Sequence, residues 1–203
     1  MEIHLDHISK RFGKQWIFRK LDYQIATNST HAICGRNGSG KSTLLKIISG
    51  YHTATSGKIN YQLHGRSVQL EDHITRVNYA APYQQLLDEL TLTEHLEFHF
   101  RFKESLLPPS EIIDRVGLEG AQRKFVGDFS SGMKQRLKLG LALFSAGSLL
   151  LLDEPTSNLD EQGISWYKEE ILKKKGDCTI IIASNLRYEY DFVDHQLTIT
   201  DFS

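Results

Sequence analysis

Hydrophobic residues follow two patterns in the predicted strands of this chain. Near the N-terminus, apolar and polar residues alternate, which is typical of antiparallel strands with one buried face. The alternating apolar positions are Ile3 and Leu5, then Leu21, Tyr23 and Ile25, and then Ile59, Tyr61 and Leu63. Three short runs, at residues 32–34, 149–152 and 180–183, are instead apolar throughout. Such runs predict central parallel strands that are covered on both faces.

The middle of the chain has the periodicity of helices. Thr91 and Glu94 form the pattern of a capping box, and Leu92, Leu96 and Phe100 then recur every four residues. Four further helices are predicted: one capped by Ser110 and ending at Gly117, one after Ser130, one from about Asp160 to Lys175, and one from about Arg187 to Asp194. Strands of both kinds combined with these helices predict an α/β fold.

Composition favours a single domain without a membrane span. The 203 residues suffice for one domain with a full core, and the formal net charge of −1 gives no electrostatic reason to expect a nucleic-acid partner. Cys34 and Cys178 lie in apolar, strand-like segments, which predicts reduced thiols in a cytoplasmic protein. No run approaches about 18 apolar residues, and the N-terminus lacks the regions of a signal peptide.

Residues 35–43 carry the most informative motif of the chain. They match the pattern Gly-x-x-x-x-Gly-Lys-Ser/Thr between a predicted strand and a predicted helix. Glycines let backbone N–H groups approach a polyphosphate, the lysine reaches the β- and γ-phosphates, and the following hydroxyl can bind Mg²⁺. A chance glycine-rich turn is the alternative, but strand, loop and helix follow in the required order. The expected phosphate-binding residues are Gly35, Arg36, Asn37, Gly38, Ser39, Gly40, Lys41, Ser42 and Thr43.

Two carboxylates end the apolar run at residues 149–152. In phosphate-loop nucleotidases the aspartate at such a strand end holds Mg²⁺, so Asp153 is a predicted metal ligand together with Ser42. Glu154 follows directly and is the predicted general base for an attacking water. The alternative is a strand that ends in a solvated acidic turn. The phosphate loop upstream favours the catalytic interpretation.

Two further segments resemble motifs of the ATP-binding cassette (ABC) ATPases. Residues 153–160 resemble the Walker B motif and D-loop, and residues 129–136 resemble the signature Leu-Ser-Gly-Gly-Gln, with Ser131 in place of Gly and Met133 in place of Gln. The motifs occur in family order, and the resemblance covers nearly the whole chain. The resemblance implies one ABC ATPase domain over residues 1–203. It would have a P-loop NTPase (RecA-like) core, an N-terminal antiparallel β-subdomain and an inserted ABC-type helical subdomain at approximately 84–145.

The resemblance also implies a shared site for ATP and Mg²⁺. In this family two domains pack head to tail, and each ATP lies between the phosphate loop of one and the signature of the other. Ser130, Ser131 and Gly132 would therefore contact the partner's ATP, while Ser130 also suits a helix N-cap. Phe12 matches the aromatic residue that stacks on adenine. Trp16 is the second candidate, and a role for Phe12 in the core is the alternative.

The sequence departs from the family at two positions near the γ-phosphate. Nine residues before Thr91, where the Q-loop glutamine is expected, the chain has Pro82. Gln84 or Gln85 would then have to supply the metal ligand, and Gln84 is the predicted one; the alternative is that both are ordinary surface residues. Asn185 occupies the position of the switch histidine and cannot carry its positive charge.

The resemblance predicts an ATP-hydrolysing subunit of an ABC transporter. It would form a homodimer or heterodimer around two ATP molecules and drive a separate transmembrane permease at the inner face of the cell membrane. Pro82 and Asn185 favour an alternative, a slowly hydrolysing or regulatory subunit that gates a complex. A nucleic-acid-linked ABC ATPase is a further alternative, but the second cassette, coiled-coil insertion or basic extension typical of that class is not visible in this sequence.

Overall fold

The computed structural model describes residues 1–202, which fall into two compact units. The first unit contains residues 1–79, 147–154 and those from 174 onward, and the second contains residues 80–146 and 155–173. The strands are β1 (Glu2–Phe12), β2 (Gln15–Ile25), β3 (Thr30–Cys34), β4 (Ser56–Leu63), β5 (Arg66–Val68), β6 (Val77–Ala80), β7 (Leu149–Asp153), β8 (Thr179–Ser184) and β9 (His195–Thr198). The helices are α1 (Lys41–Ile48), α2 (Leu70–Thr75), α3 (Leu92–His99), α4 (Pro109–Arg115), α5 (Ser131–Leu143) and α6 (Glu161–Lys174).

The N-terminal alternation forms an antiparallel sheet, as predicted. Its strand order is β2-β1-β4-β5, and Ile3 lies opposite both Ile25 and Tyr61. The inward positions Ile3, Leu5 and Ile25 are at most 4 % exposed. Each such side chain contributes on the order of 1.5–3 kcal/mol through burial, so one apolar face fixes the register of this sheet.

The three uniformly apolar runs form the centre of a parallel sheet. Its strand order is β6-β7-β8-β3-β9, and β8 pairs in parallel with both β7 and β3. Ser184 lies opposite Cys34, and Ala183 lies opposite Asp153. The carboxyl ends of β3, β7 and β8 therefore meet at one edge of the sheet, where ligands of open α/β sheets bind.

Helix α1 is fixed at its C-terminus by two side chains. The Tyr61 hydroxyl donates to the carbonyl oxygen of Ile48 at 3.1 Å, and Nε2 of His73 lies 2.8 Å from the same oxygen. The two rings stack with centroids 3.6 Å apart. Because the carbonyl only accepts, Nε2 of His73 must carry a proton, and burial lowers the pKa of this histidine.

The second unit confirms two of the predicted helix starts and corrects a third. Thr91 and Glu94 form both bonds of a capping box, and the Ser130 hydroxyl accepts from the N–H of Met133. The prediction that Ser110 caps a helix is wrong, since α4 already begins at Pro109. The fixed φ of proline suits the first helical position, so the helix starts before the serine. The predicted end at Gly117 is confirmed, with a left-handed φ of 67°.

The C-terminal segment differs more from the prediction. The helix predicted from 160 to 175 is confirmed as α6, but the one predicted from Arg187 to Asp194 is a single 3-10 turn, Arg187–Glu189. The Asp194 carboxylate accepts hydrogen bonds from the N–H and hydroxyl of Thr30 and pairs with Lys175. These contacts draw the segment to the sheet, where β9 pairs with β3. Within residues 1–202, none of the helices has the length and apolarity needed to cross a bilayer.

One buried and one half-buried histidine should make stability depend on pH. Burial lowers the pKa of His31 and of His99 to about 4, so the folded protein keeps both neutral where the unfolded chain, with a pKa near 6.5, binds protons. Their contribution is complete above pH 6.5 and is lost as the pH falls from 6.5 towards 4, by up to about 1.4 kcal/mol per pH unit for each histidine. Urea unfolding at pH 7.5 and pH 5 measures this loss.

A matched pair of variants identifies the group responsible. His31→Asn should reduce the loss of unfolding free energy between the two pH values, whereas His64→Asn, at an exposed position, should leave it unchanged. An unchanged pH dependence in His31→Asn would show that this histidine does not cause it.

Candidate functional site

The phosphate-loop motif places three glycines in conformations that other residues rarely adopt. Gly35, Gly38 and Gly40 have φ values of 154°, 77° and 100°. A Cβ on Gly40 would lie 2.3 Å from Cγ2 of Ile17, so this position has no room for a side chain. Gly40 is also the N-cap of α1 and offers no capping oxygen. The first N–H groups of α1 are therefore left for an anion, which the helix dipole also attracts.

Polar side chains of the loop are held close to its backbone. The Lys41 ammonium donates to the carbonyl oxygens of Gly35 at 2.9 Å and Arg36 at 3.2 Å, and the residue is 5 % exposed. The Ser39 hydroxyl is buried and has no hydrogen-bond partner among residues 1–202. A buried polar atom without a partner is costly in a folded protein, and a bound phosphate oxygen would satisfy it.

Two of the three predicted metal ligands, Ser42 and Asp153, come from distant parts of the sequence and are in direct contact. The Ser42 hydroxyl donates to Oδ1 of Asp153 at 3.0 Å. Asp153 is 5 % exposed, and this burial raises the pKa of its carboxyl group while the bond from Ser42 opposes the rise. Hydroxyl and carboxylate oxygens are the ligands that Mg²⁺ prefers, so the pair fits a hard divalent cation.

Glu154 has a strained backbone at the end of β7. Its φ of 43° lies in the left-handed region, which costs a non-glycine residue on the order of 1–3 kcal/mol. Its N–H donates to the carbonyl oxygen of Ala183 at 2.9 Å, so β8 holds the strained residue in place. The residue is half-buried and follows Asp153 directly in the sequence, and its role as a general base stays a prediction.

Two other predicted residues of the first unit are accessible. Phe12 ends β1 and is 50 % exposed, so the alternative that it belongs to the core is wrong. Its ring has the Lys10 ammonium 4.9 Å from the centroid. Trp16, the second candidate, has two guanidinium groups near its ring, from Arg11 at 5.5 Å and Arg19 at 4.7 Å. Asn185 is exposed directly after β8, at the sheet edge where Asp153 ends β7.

The predicted signature residues line an open cleft of the second unit, with a volume of about 400 Å³. Its lining includes Ser130, Ser131 and Gly132 at the start of α5, together with Asn158 and Asp160. A Cβ on Gly132 would lie 3.0 Å from the carbonyl oxygen of Asn158, so glycine permits this close approach of backbone. Oδ1 of Asp160 accepts from the N–H of Gly163 at 2.8 Å, which lowers the pKa of this carboxyl group.

The segment that replaces the Q-loop glutamine also belongs to the second unit. Gln84 and Gln85 are exposed, and the N–H of Gln84 donates to the carbonyl oxygen of Ala81. The assignment of Gln84 as a metal ligand stays a prediction. The carbonyl oxygen of Pro82 accepts a hydrogen bond from the ammonium of Lys138. None of the sequence motifs points to Lys138, and the one signal for it is a lysine inside an apolar helical stretch.

The chain is similar to known ATP-binding proteins over most of its length. The family model described as "ABC transporter" matches residues 18–157. The lantibiotic transport ATP-binding protein SrtF of Streptococcus pyogenes is 31 % identical over 194 residues, which cover 93 % of this chain and 82 % of the relative. The bacitracin transport ATP-binding protein BcrA of Bacillus licheniformis is 31 % identical over 195 residues, which cover 93 % of this chain and 63 % of the relative.

Two solved structures share the fold. A putative ABC transporter ATP-binding protein from Pyrococcus furiosus superposes with a TM-score of 0.83 at 21 % identity, covering both chains completely. An ATP-binding subunit of an ABC transporter superposes with a TM-score of 0.84 at 24 % identity, covering 98 % of this chain and 87 % of the other. At these identities the likeness establishes the fold alone.

A methyl group at Gly40 should weaken phosphate binding. In Gly40→Ala the new Cβ would clash with Ile17, and the left-handed φ of 100° would be strained, so the loop must move. We expect the affinity for a fluorescent nucleoside triphosphate to fall by about ten-fold or more, measured by equilibrium titration. Gly65→Ala is the control, because Gly65 has a φ of 74° and open space around it. Equal affinities of Gly40→Ala and the wild type would contradict the proposed role of the loop.

Proposed function

We propose that this chain, which belongs to the ABC transporter family, is an ATP-binding subunit that hydrolyses ATP with Mg²⁺ to drive a separate membrane permease. One observation carries the hydrolytic part of the proposal. The hydroxyl that follows the phosphate-loop lysine meets the carboxylate at the end of β7, directly before the half-buried Glu154. The groups proposed to bind phosphate, to bind the metal and to act as general base thus lie along one sheet edge.

Each proposed site residue of the first unit has one role. Lys41 and the loop N–H groups hold the β- and γ-phosphates, and the exposed Phe12 stacks on adenine. Ser42 and Asp153 would hold Mg²⁺, which neutralises charge on the phosphates when bound. Glu154 accepts a proton from the water that attacks the γ-phosphorus, while the leaving ADP takes the electrons of the broken P–O bond.

The signature cleft supports a site shared between two chains. Ser131 and the N-cap Ser130 lie at the N-terminus of α5, where N–H groups favour an anion. The cleft is open, and Gly132 belongs to its lining. In the proposed head-to-tail dimer, these residues contact the γ-phosphate of the ATP held by the partner's phosphate loop. Ser130 then caps its own helix and contacts the partner's nucleotide at once.

Attachment to a permease is the further part of this proposal. Relatives carry the names of lantibiotic, bacitracin and daunorubicin transport or resistance ATP-binding proteins, which supports transport as the use of ATP. In the second unit, Phe98 and Phe102 are 44 % and 76 % exposed and form an edge-to-face pair with centroids 5.3 Å apart. Exposed aromatic pairs are typical of protein interfaces, so this pair suits a permease bound at the inner face of the membrane.

Replacing the proposed base should separate binding from hydrolysis. In Glu154→Gln, the amide has no basic oxygen to accept the proton, so we expect ATP hydrolysis to fall by about 100-fold or more while ATP is still bound. ATP held without hydrolysis should keep the dimer closed, which size-exclusion chromatography with light scattering detects. Glu169→Gln, at an exposed position of α6, is the matched control. Unchanged hydrolysis in Glu154→Gln would refute the role of the base.

The amide at position 185 should slow hydrolysis. A neutral amide forms a weaker bond to the γ-phosphate than a charged imidazolium, so Asn185→His should raise kcat by about five-fold or more without changing the affinity for ATP. Asn185→Ala should lower kcat further. Single-turnover assays on the purified protein measure both. A fast wild-type rate that Asn185→Ala leaves unaffected would contradict this explanation.

A further inference from the structure

Helix α5 contains a buried lysine that the proposed mechanism does not use. Lys138 is 8 % exposed and lies between Leu137 and Leu139, both fully buried. A lysine is rarely buried without a partner for its ammonium, because removing the charge from water is costly. Burial lowers the pKa of Lys138, and the nearby charge of Lys134 adds to this effect. Such a residue needs a specific partner within the same unit.

The partner is the carbonyl oxygen of Pro82, to which the ammonium of Lys138 donates a hydrogen bond. Proline has no backbone N–H and no polar side-chain atom, so its carbonyl is the single polar group through which the protein can hold it. Pro82 stands where the family has the Q-loop glutamine. At this position the chain therefore lacks the glutamine side chain, and Lys138 instead binds the backbone carbonyl of Pro82.

The same helix carries the signature and holds other backbone nearby. Ser130 caps α5, and Lys138 lies about two turns further along the helix. One turn before Lys138, Nε2 of Gln135 donates to the carbonyl oxygen of Pro155 at 2.8 Å, directly after Glu154 in the sequence. Helix α5 therefore binds the segment that follows the proposed base and the segment that contains Gln84.

We propose that Lys138 is a positioning residue for hydrolysis. Its bond to Pro82 fixes the segment that contains Gln84 to helix α5, a role that the missing glutamine side chain cannot fill. The proposal rests on the proposed ATPase function. By holding Pro82, Lys138 sets the start of the turn in which the N–H of Gln84 donates to Ala81. In this proposal, a movement of α5 also moves Gln84 and Gln85.

Lys138→Met tests this role, because methionine fills a similar volume without the ammonium. We expect kcat to fall by at least about ten-fold while the affinity for ATP stays within about two-fold, since misplaced groups lower the rate more than the binding. Lys138→Arg, which keeps the donor, should retain more activity than Lys138→Met. Hydrogen exchange of residues 81–88 should become faster in Lys138→Met, which reports the position of the loop independently of hydrolysis.

A matched control lies on another helix of the same unit. Lys173 of α6 pairs with the carboxylate of Glu170 at 2.9 Å, and the Lys173 side chain is 59 % exposed, so Lys173→Met removes a lysine charge without touching α5 or Pro82. Its kcat should remain close to that of the wild type. An equal loss in Lys173→Met, or unchanged kcat in Lys138→Met, would overturn the proposal.

A double-mutant cycle separates positioning from a general loss of stability. Pro82→Gln supplies the side chain whose absence Lys138 offsets, so Lys138→Met should cost less activity in the Pro82→Gln background than in the wild type. Equal losses in both backgrounds would overturn the proposal. If the wild-type protein does not hydrolyse ATP at all, the proposed function is wrong. Hydrogen exchange tests the contact between Lys138 and Pro82 independently, and unchanged exchange in Lys138→Met would refute it.

Discussion

Helix α1 begins without a capping side chain, and this constraint shapes much of the first unit. Gly40 offers its first N–H groups no oxygen, which leaves them open to the phosphate of the proposed function. At the other end of α1, Tyr61 and His73 bind the carbonyl oxygen of Ile48 and stabilise the helix there. The antiparallel sheet and α2 thereby hold a helix whose functional end is left open.

The register of the parallel sheet places the proposed catalytic groups. Strand β8 pairs with both β3 and β7, so the loop after β3, the carboxylates after β7 and Asn185 after β8 share one edge. The bond from the Glu154 N–H to Ala183 extends this register by one residue. Backbone pairing of apolar strands brings these residues together from distant parts of the sequence, and the bond between Ser42 and Asp153 forms at the resulting edge.

Patterns with local causes could be predicted from the sequence. Strand alternation, apolar central runs, the capping box at Thr91 and the N-cap at Ser130 depend on neighbouring residues, and the phosphate loop carries its own spacing. The features that could not be predicted depend on contacts between distant residues. The Asp194 carboxylate accepts a hydrogen bond from Thr30, and its segment is not helical. His73 binds a carbonyl oxygen 25 residues away in sequence. Spacing along the chain also could not identify Pro82 as the partner of Lys138, since 56 residues separate them.

The left-handed backbone at Glu154 has a consequence for how this protein changes over generations. Glycine adopts such a conformation without strain, and asparagine tolerates it better than glutamate does. Replacements that relax the turn would therefore make the fold more stable while removing the proposed base. Selection for stability and selection for turnover act in opposite directions at this one residue. Descendants of this chain that bind ATP without hydrolysing it would be expected to lose Glu154 early and to retain the phosphate loop.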